Sequence, residues 1–123
     1  MCILRNIVAG LGLFALGLTT GFAWVHRSGA EGPRTRRVLD NKRVEVTEVT
    51  QPPSARREAY TRPTDQLIIF LDEAKYQAID AAGKIEERRR AVGDIVWHDK
   101  GDLAPVLVNT GEKPYRNLVI AFK

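Results

Sequence analysis

Cysteine, serine and histidine are all scarce in this chain. Its one cysteine, Cys2, stands at the very start, so the rest of the 123 residues contains no thiol. That excludes a disulfide framework and any thiol chemistry downstream, and it fits an oxidising compartment without disulfides. Cys2 also precedes the apolar run, whereas a bacterial lipoprotein cysteine follows it. Ser28 and Ser54 are the only serines, and neither has the context of a nucleophile elbow. The acidic pairs Asp72-Glu73 and Glu86-Glu87 are sequence neighbours. A strand aims such neighbours to opposite faces, so neither pair makes a catalytic dyad unaided. The net charge is only +4 at pH 7, and Arg5 accounts for one of these charges. The excess is scattered, with no dense basic patch interleaved with aromatics, which argues against nucleic acid as a partner.

A hydrophobic leader comes first among the features present. Arg5 is the only charged residue in positions 1–23, and Ile7 to Val25 forms an uncharged run of Leu, Gly, Ala, Phe and Val character. Residues 1–25 therefore read as a signal peptide or a membrane anchor helix. Small residues allow cleavage after Ala23 or after Ala30, and the uncut run is just long enough to span a bilayer; the three outcomes stay open. Either way the expected location is periplasmic or extracytoplasmic, with membrane contact only through this segment. Residues 26–37, polar, basic and Gly-containing, read as a linker.

From Val38 to Lys123 short β-type runs alternate with turn residues. Val44–Thr50 is β-branched and alternating, stopped by Pro52-Pro53. Arg56–Tyr60 is short and ends before Arg62-Pro63, where proline holds its neighbour extended. Asp65–Leu71 is a buried strand by composition. Ala74–Asp80 and Lys84–Arg90 flank Ala81-Ala82-Gly83 as a hairpin, in preference to one helix over Asp72–Arg90. Ile95–His98, Pro105–Asn109 and Tyr115–Phe122 complete seven or eight strands, the pattern of an all-β sandwich or barrel. The Arg88-Arg89-Arg90 run reads as a solvated strand end.

One segment runs from Tyr60-Thr61-Arg62-Pro63 through Gln66 to Leu71; a second runs from Gly93-Asp94 through Trp97-His98 and Gly101 to Asn109-Thr110-Gly111. Together they resemble the paired motifs of the cupin superfamily. The resemblance covers roughly residues 44–122 and implies a small jelly-roll β-barrel. Metal-binding cupins carry His-x-His and Glu in the first motif and a further His in the second. Laid on this sequence, those positions fall on Tyr60, Arg62 and Gln66, and on Ala104 or Pro105. A guanidinium is no metal donor and its charge repels a cation, so no metal and no cofactor are expected.

The same replacements have a positive meaning, since Arg62 offers a forked cation, Tyr60 a hydroxyl and Gln66 an amide. Together they suit a small anionic or polar molecule. The plainer expectation is that Arg62 pairs with Asp65 or Glu58, or points to solvent. His98 follows Trp97 on a strand, so only one of the two faces inward. The larger gain from burying an indole favours Trp97 inward, as core or ligand-stacking surface. If His98 faces inward instead, it is the candidate general acid or base, or a further anion ligand. Three functions follow, ranked in this order: a small-molecule binding or sensing module; an enzyme using His98 as acid or base, either a metal-independent isomerase or lyase or a metal enzyme with displaced ligands; and a structural barrel that assembles as a homodimer.

Overall fold

The computed structural model describes residues 30–123, all strand, turn and loop. The expected leader at 1–25 lies outside the described residues. Eleven strands follow in order: β1 (Arg34–Asp40), β2 (Val44–Gln51), β3 (Arg56–Arg57), β4 (Tyr60–Thr61), β5 (Gln66–Phe70), β6 (Ala74–Ile79), β7 (Ile85–Arg90), β8 (Ile95–His98), β9 (Leu103–Ala104), β10 (Val106–Asn109) and β11 (Tyr115–Phe122). They form a five-stranded sheet in the order β1-β2-β11-β5-β8, a four-stranded sheet β3-β10-β6-β7 and a short pair β4-β9. Every pairing is antiparallel. The chain crosses between the two larger sheets after β5 and again after β7, which is the jelly-roll path.

The predicted hairpin is present, and β6 pairs with β7 from Ala74–Arg90 to Ile79–Ile85. Gly83 takes φ +83° at its tip, a conformation that costs other residues steric strain. Polar landmarks secure the other turns. Asp94 accepts from the Ala91 amide at 2.7 Å, and Gly93 donates to the Phe70 carbonyl at 2.8 Å. Buried Asn109 donates to the carbonyls of Gln51 at 2.9 Å and Lys113 at 3.0 Å and accepts from the Gly111 amide at 2.9 Å. These residues close loops, so they encode the barrel and leave its chemistry open.

The expected linker 26–37 needs correction at its C-terminal end, because Arg34–Arg37 belongs to β1. Backbone pairing to β2 from Arg34–Thr50 to Asp40–Glu45 holds this strand, with a shift in register around Val38. Its side chains are exposed throughout. No burial alternation marks it, and its arginines find Glu48 and Glu45 on the neighbouring strand instead. A basic edge of this kind also discourages further strand pairing.

The core between the sheets is compact and aromatic. Phe70, Tyr76 and Tyr115 are buried with Ala74, and their ring centres lie 5.8–6.2 Å apart. Ile68, Val96 and Leu107 pack against them.

Candidate functional site

Proline at 63 keeps Arg62 extended, and its backbone is clamped by the Asp99–Asp102 loop. Arg62 N donates to the Asp102 carbonyl and Gly101 N donates to the Arg62 carbonyl, both at 2.9 Å. The side chain is thereby carried inward and is only 3% exposed. Its Nη1 donates to Gln66 Oε1 at 2.7 Å and to the Tyr60 hydroxyl at 3.2 Å, while Nε is buried without a partner.

The expected pairing of Arg62 with Asp65 or Glu58 does not occur. Asp65 accepts from the Lys100 amide, and Glu58 binds Arg56. Alternation sends Asp65 away from Gln66, and Glu58 is exposed in the connection between β3 and β4. Tyr60, Arg62 and Gln66 are thus brought together.

Arg62 and Tyr60 line a cavity of about 120 Å³ between the two sheets. Gln66 holds Arg62 from behind and faces a neighbouring, more open cleft. Three further arginines, Arg57, Arg88 and Arg90, reach the same cavity, as does His98. Among the described residues no aspartate or glutamate lines it. Arg88 meets the exposed Glu86 at 3.3 Å, and Arg90 donates to the Tyr76 hydroxyl at 3.3 Å. Arg57 donates to the Pro105 carbonyl, and its Nε is buried without a partner. The guanidinium carbons of Arg57 and Arg62 lie 5.2 and 5.6 Å from the Tyr60 ring centre, over its electron-rich face. The buried Phe70, Tyr76 and Tyr115 cluster lines the same cavity, with the Arg90 guanidinium carbon 5.9 Å from the Phe70 ring centre.

The inward choice on β8 is His98, and the expectation for Trp97 is corrected. Trp97 is half exposed; its ring lies tilted against Phe122 at 5.6 Å between ring centres, and it donates to Asp99 at 2.9 Å. Gln66 and His98 are direct cross-strand partners, so they share the inner face, and Trp97 takes the outer one. Burial lowers the His98 pKa from its ordinary 6.5, Arg62 lowers it further, and Asp102 opposes them. At neutral pH the ring is therefore uncharged and able to accept a proton. Burial also lowers the Arg57 pKa and pushes the Tyr115 hydroxyl up.

Arg57, Arg88 and Arg90 were absent from the site expected on sequence. The signal available was the two-residue period of a strand, which puts Arg88 and Arg90 on one face and Arg89 on the other. That corrects the reading of the arginine run as a solvated strand end, since alternate members enter the barrel. Of the positions equivalent to the second-motif His, Ala104 is fully buried and Pro105 lines the cavity. Among the described residues no group of three His, Cys, Asp or Glu side chains is placed to hold a metal ion. The donor set at the first motif, a guanidinium bonded to an amide and a phenol, does not fit a divalent cation.

No family model matches the chain, and no curated protein matches it in sequence. Solved structures do match. A cupin domain from Bordetella pertussis Tohama I superposes with a TM-score of 0.68 at 18% identity, covering 77% of this chain and 99% of that one. The polyketide cyclase RemF from Streptomyces resistomycificus gives 0.62 at 20% identity over 76% of this chain and 67% of its own. A sugar phosphate isomerase of the cupin superfamily from Silicibacter pomeroyi gives 0.56 at 22% identity over 75% and 60%. At such identities the likeness establishes architecture alone: residues 30–123 adopt a small, all-β cupin fold of the jelly-roll type.

Proposed function

We propose that the barrel binds a small anion, a carboxylate or similar oxyanion with an apolar body, and serves as a binding or sensing module without a metal. One observation carries this reading: four arginines line an interior cavity that no carboxylate enters. Buried Arg62 and half-buried Arg57 meet only neutral oxygens; buried cations without counter-ions are costly, and an anion supplies the missing charge. Arg62 and Arg57 each keep an unpartnered Nε, and a guanidinium meets a carboxylate through two parallel hydrogen bonds. The aromatic lining of the cavity offers apolar surface to the rest of such a molecule.

The test is thermal stabilisation by a panel of anions, with benzoate, acetate and phosphate set against a neutral analogue such as benzamide. Benzoate raises the Tm in proportion to the logarithm of its concentration, as ligand linkage requires. Arg62→Ala and Arg57→Ala each abolish that rise, while His98→Ala leaves most of it. Equal shifts in the wild type and Arg62→Ala overturn the assignment of Arg62. Stoichiometric iron, manganese or zinc in the purified, tag-free protein overturns the metal-free reading.

A second reading rests on His98, which faces the cavity next to Arg62 and is held neutral. It makes the barrel a metal-independent isomerase or lyase in which His98 takes a proton and the arginines stabilise the resulting anion. Turnover that disappears in His98→Ala distinguishes this from binding alone. For location we propose an extracytoplasmic site, on the strength of the uncharged run Ile7 to Val25; fractionation of the native protein tests it.

A further inference from the structure

The inner face of the five-stranded sheet changes character along β5. Gln66, Ile68 and Phe70 face inward in turn, and register sets each beside its neighbours: Gln66 beside His98, Ile68 beside Val96 and Val119, and Phe70 beside Asn117. Gln66 holds the Arg62 guanidinium, so the first row is cationic. The second row is apolar. The third brings in Asn117, whose side chain shares the cavity with Tyr76 and Tyr115. Asn117 Oδ1 is buried and has no hydrogen-bond partner among the described residues. An amide oxygen left unpaired inside a protein is costly, so this one calls for a donor that the described chain does not supply. Arg90 reaches the same end, with its Nε donating to the Tyr76 hydroxyl at 3.3 Å and its guanidinium carbon 5.9 Å from the Phe70 ring centre.

We infer that the anion bound in this cavity is an aromatic carboxylate with a hydroxyl at the far end of its ring, and that Asn117 Oδ1 accepts a hydrogen bond from that hydroxyl. The inference rests on the anion-binding reading and names the ligand class.

Size and spacing select such a molecule. The cavity of about 120 Å³ takes a single ring, since one of about 150 Å³ holds a benzene. Four residues of strand separate the Gln66 row from the Phe70 row, roughly 13 Å along the sheet. A carboxylate and a hydroxyl on the same carbon are too close together to serve both rows. Placed across a benzene ring, and each extended by a hydrogen bond of about 2.8 Å, they reach from one row to the other. The ring between them lies against the apolar row.

Hydrogen bonding selects the hydroxyl. It donates to Asn117 and still accepts from Arg90, whereas a second carboxylate has no hydrogen to offer an amide oxygen. A methyl group in its place leaves Oδ1 unpaired. Asparagine χ2 is broad, so the amide turns its oxygen towards the ligand at little cost.

The test is calorimetric titration of the full chain with 4-hydroxybenzoate, 4-methylbenzoate, 2-hydroxybenzoate and terephthalate. 4-Hydroxybenzoate binds at least tenfold tighter than each of the others, the scale of one hydrogen bond to an otherwise unpaired group. Asn117→Leu, close in shape, brings 4-hydroxybenzoate to the level of 4-methylbenzoate and leaves 4-methylbenzoate within about twofold of its wild-type affinity. Arg62→Ala weakens all four. Equal affinity for 4-hydroxybenzoate and 4-methylbenzoate in the wild type overturns the inference while the anion reading stands, and this comparison needs no variant to fold. A preference that survives in Asn117→Leu overturns the role of Asn117. Tighter binding of terephthalate, or equal binding of 2-hydroxybenzoate, overturns the placement of a hydroxyl at the far end. Failure of every probe to bind overturns the anion reading and this inference together.

Discussion

Arg62 sits inside the barrel with its charge answered only by the neutral oxygens of Gln66 and Tyr60. Gln66 therefore controls the availability of that charge. Gln66→Glu places a carboxylate against Nη1 and competes with any external anion, so benzoate affinity falls at least tenfold, about 1.4 kcal/mol, by calorimetric titration. His98 responds to the same field. Its folded pKa is depressed below 6.5 by burial and by Arg62, so the unfolded chain takes up a proton first. Stability is therefore complete above that ordinary value and is lost as pH falls towards the depressed folded value, below which the loss stops. Denaturant unfolding across this window shows the slope in the wild type and a flatter profile in His98→Gln. A bound anion favours the imidazolium, so benzoate affinity rises as pH falls through the same window. The His98 ring signal in NMR, titrated with and without benzoate, reports that shift directly.

The strands and turns show how the motif landmarks separate folding from chemistry. Asn109 satisfies three backbone groups at once, and Asn109→Leu strands them. The expected loss is about 1–3 kcal/mol in chemical denaturation, with anion binding retained in the folded fraction. The β6–β7 hairpin was legible because Gly83 interrupts a run of alternating residues. Its inward face was not, and Arg88 and Arg90 went unrecognised for that reason. Alternation says which side chains share a side, whereas only packing says which side is inside. Strand β1 was illegible for a different reason: an edge strand held by backbone pairing and ion pairs carries no hydrophobic period.

The two sheets enclose little besides the Phe70, Tyr76 and Tyr115 cluster and the cationic cavity beside it. Stability is concentrated there. Tyr115 is only 2% exposed, and Tyr115→Ala removes about 3–5 kcal/mol, a large share of the 5–15 kcal/mol usual for a domain. A urea midpoint shifted to far lower concentration, with the transition still cooperative, is the expected observation. Asp65–Leu71 was expected to be a buried strand, and β5 is indeed apolar on both sides. Its inner residues meet the core, and its outer residues Leu67 and Ile69 lie on the opposite face of the sheet.

Local patterning was enough to identify an all-β barrel and most of its strands, and the resemblance to the cupin motifs singled out Tyr60, Arg62 and Gln66. Those features depend on residue type and on spacings of a few residues, which act before the chain is packed. The direction of β8, the entry of Arg57, Arg88 and Arg90 into one cavity, and the absence of any carboxylate there came from the packing of distant strands. A charge run reads as solvated until a second sheet closes over alternate members, because burial belongs to the assembled pair of sheets and not to either strand.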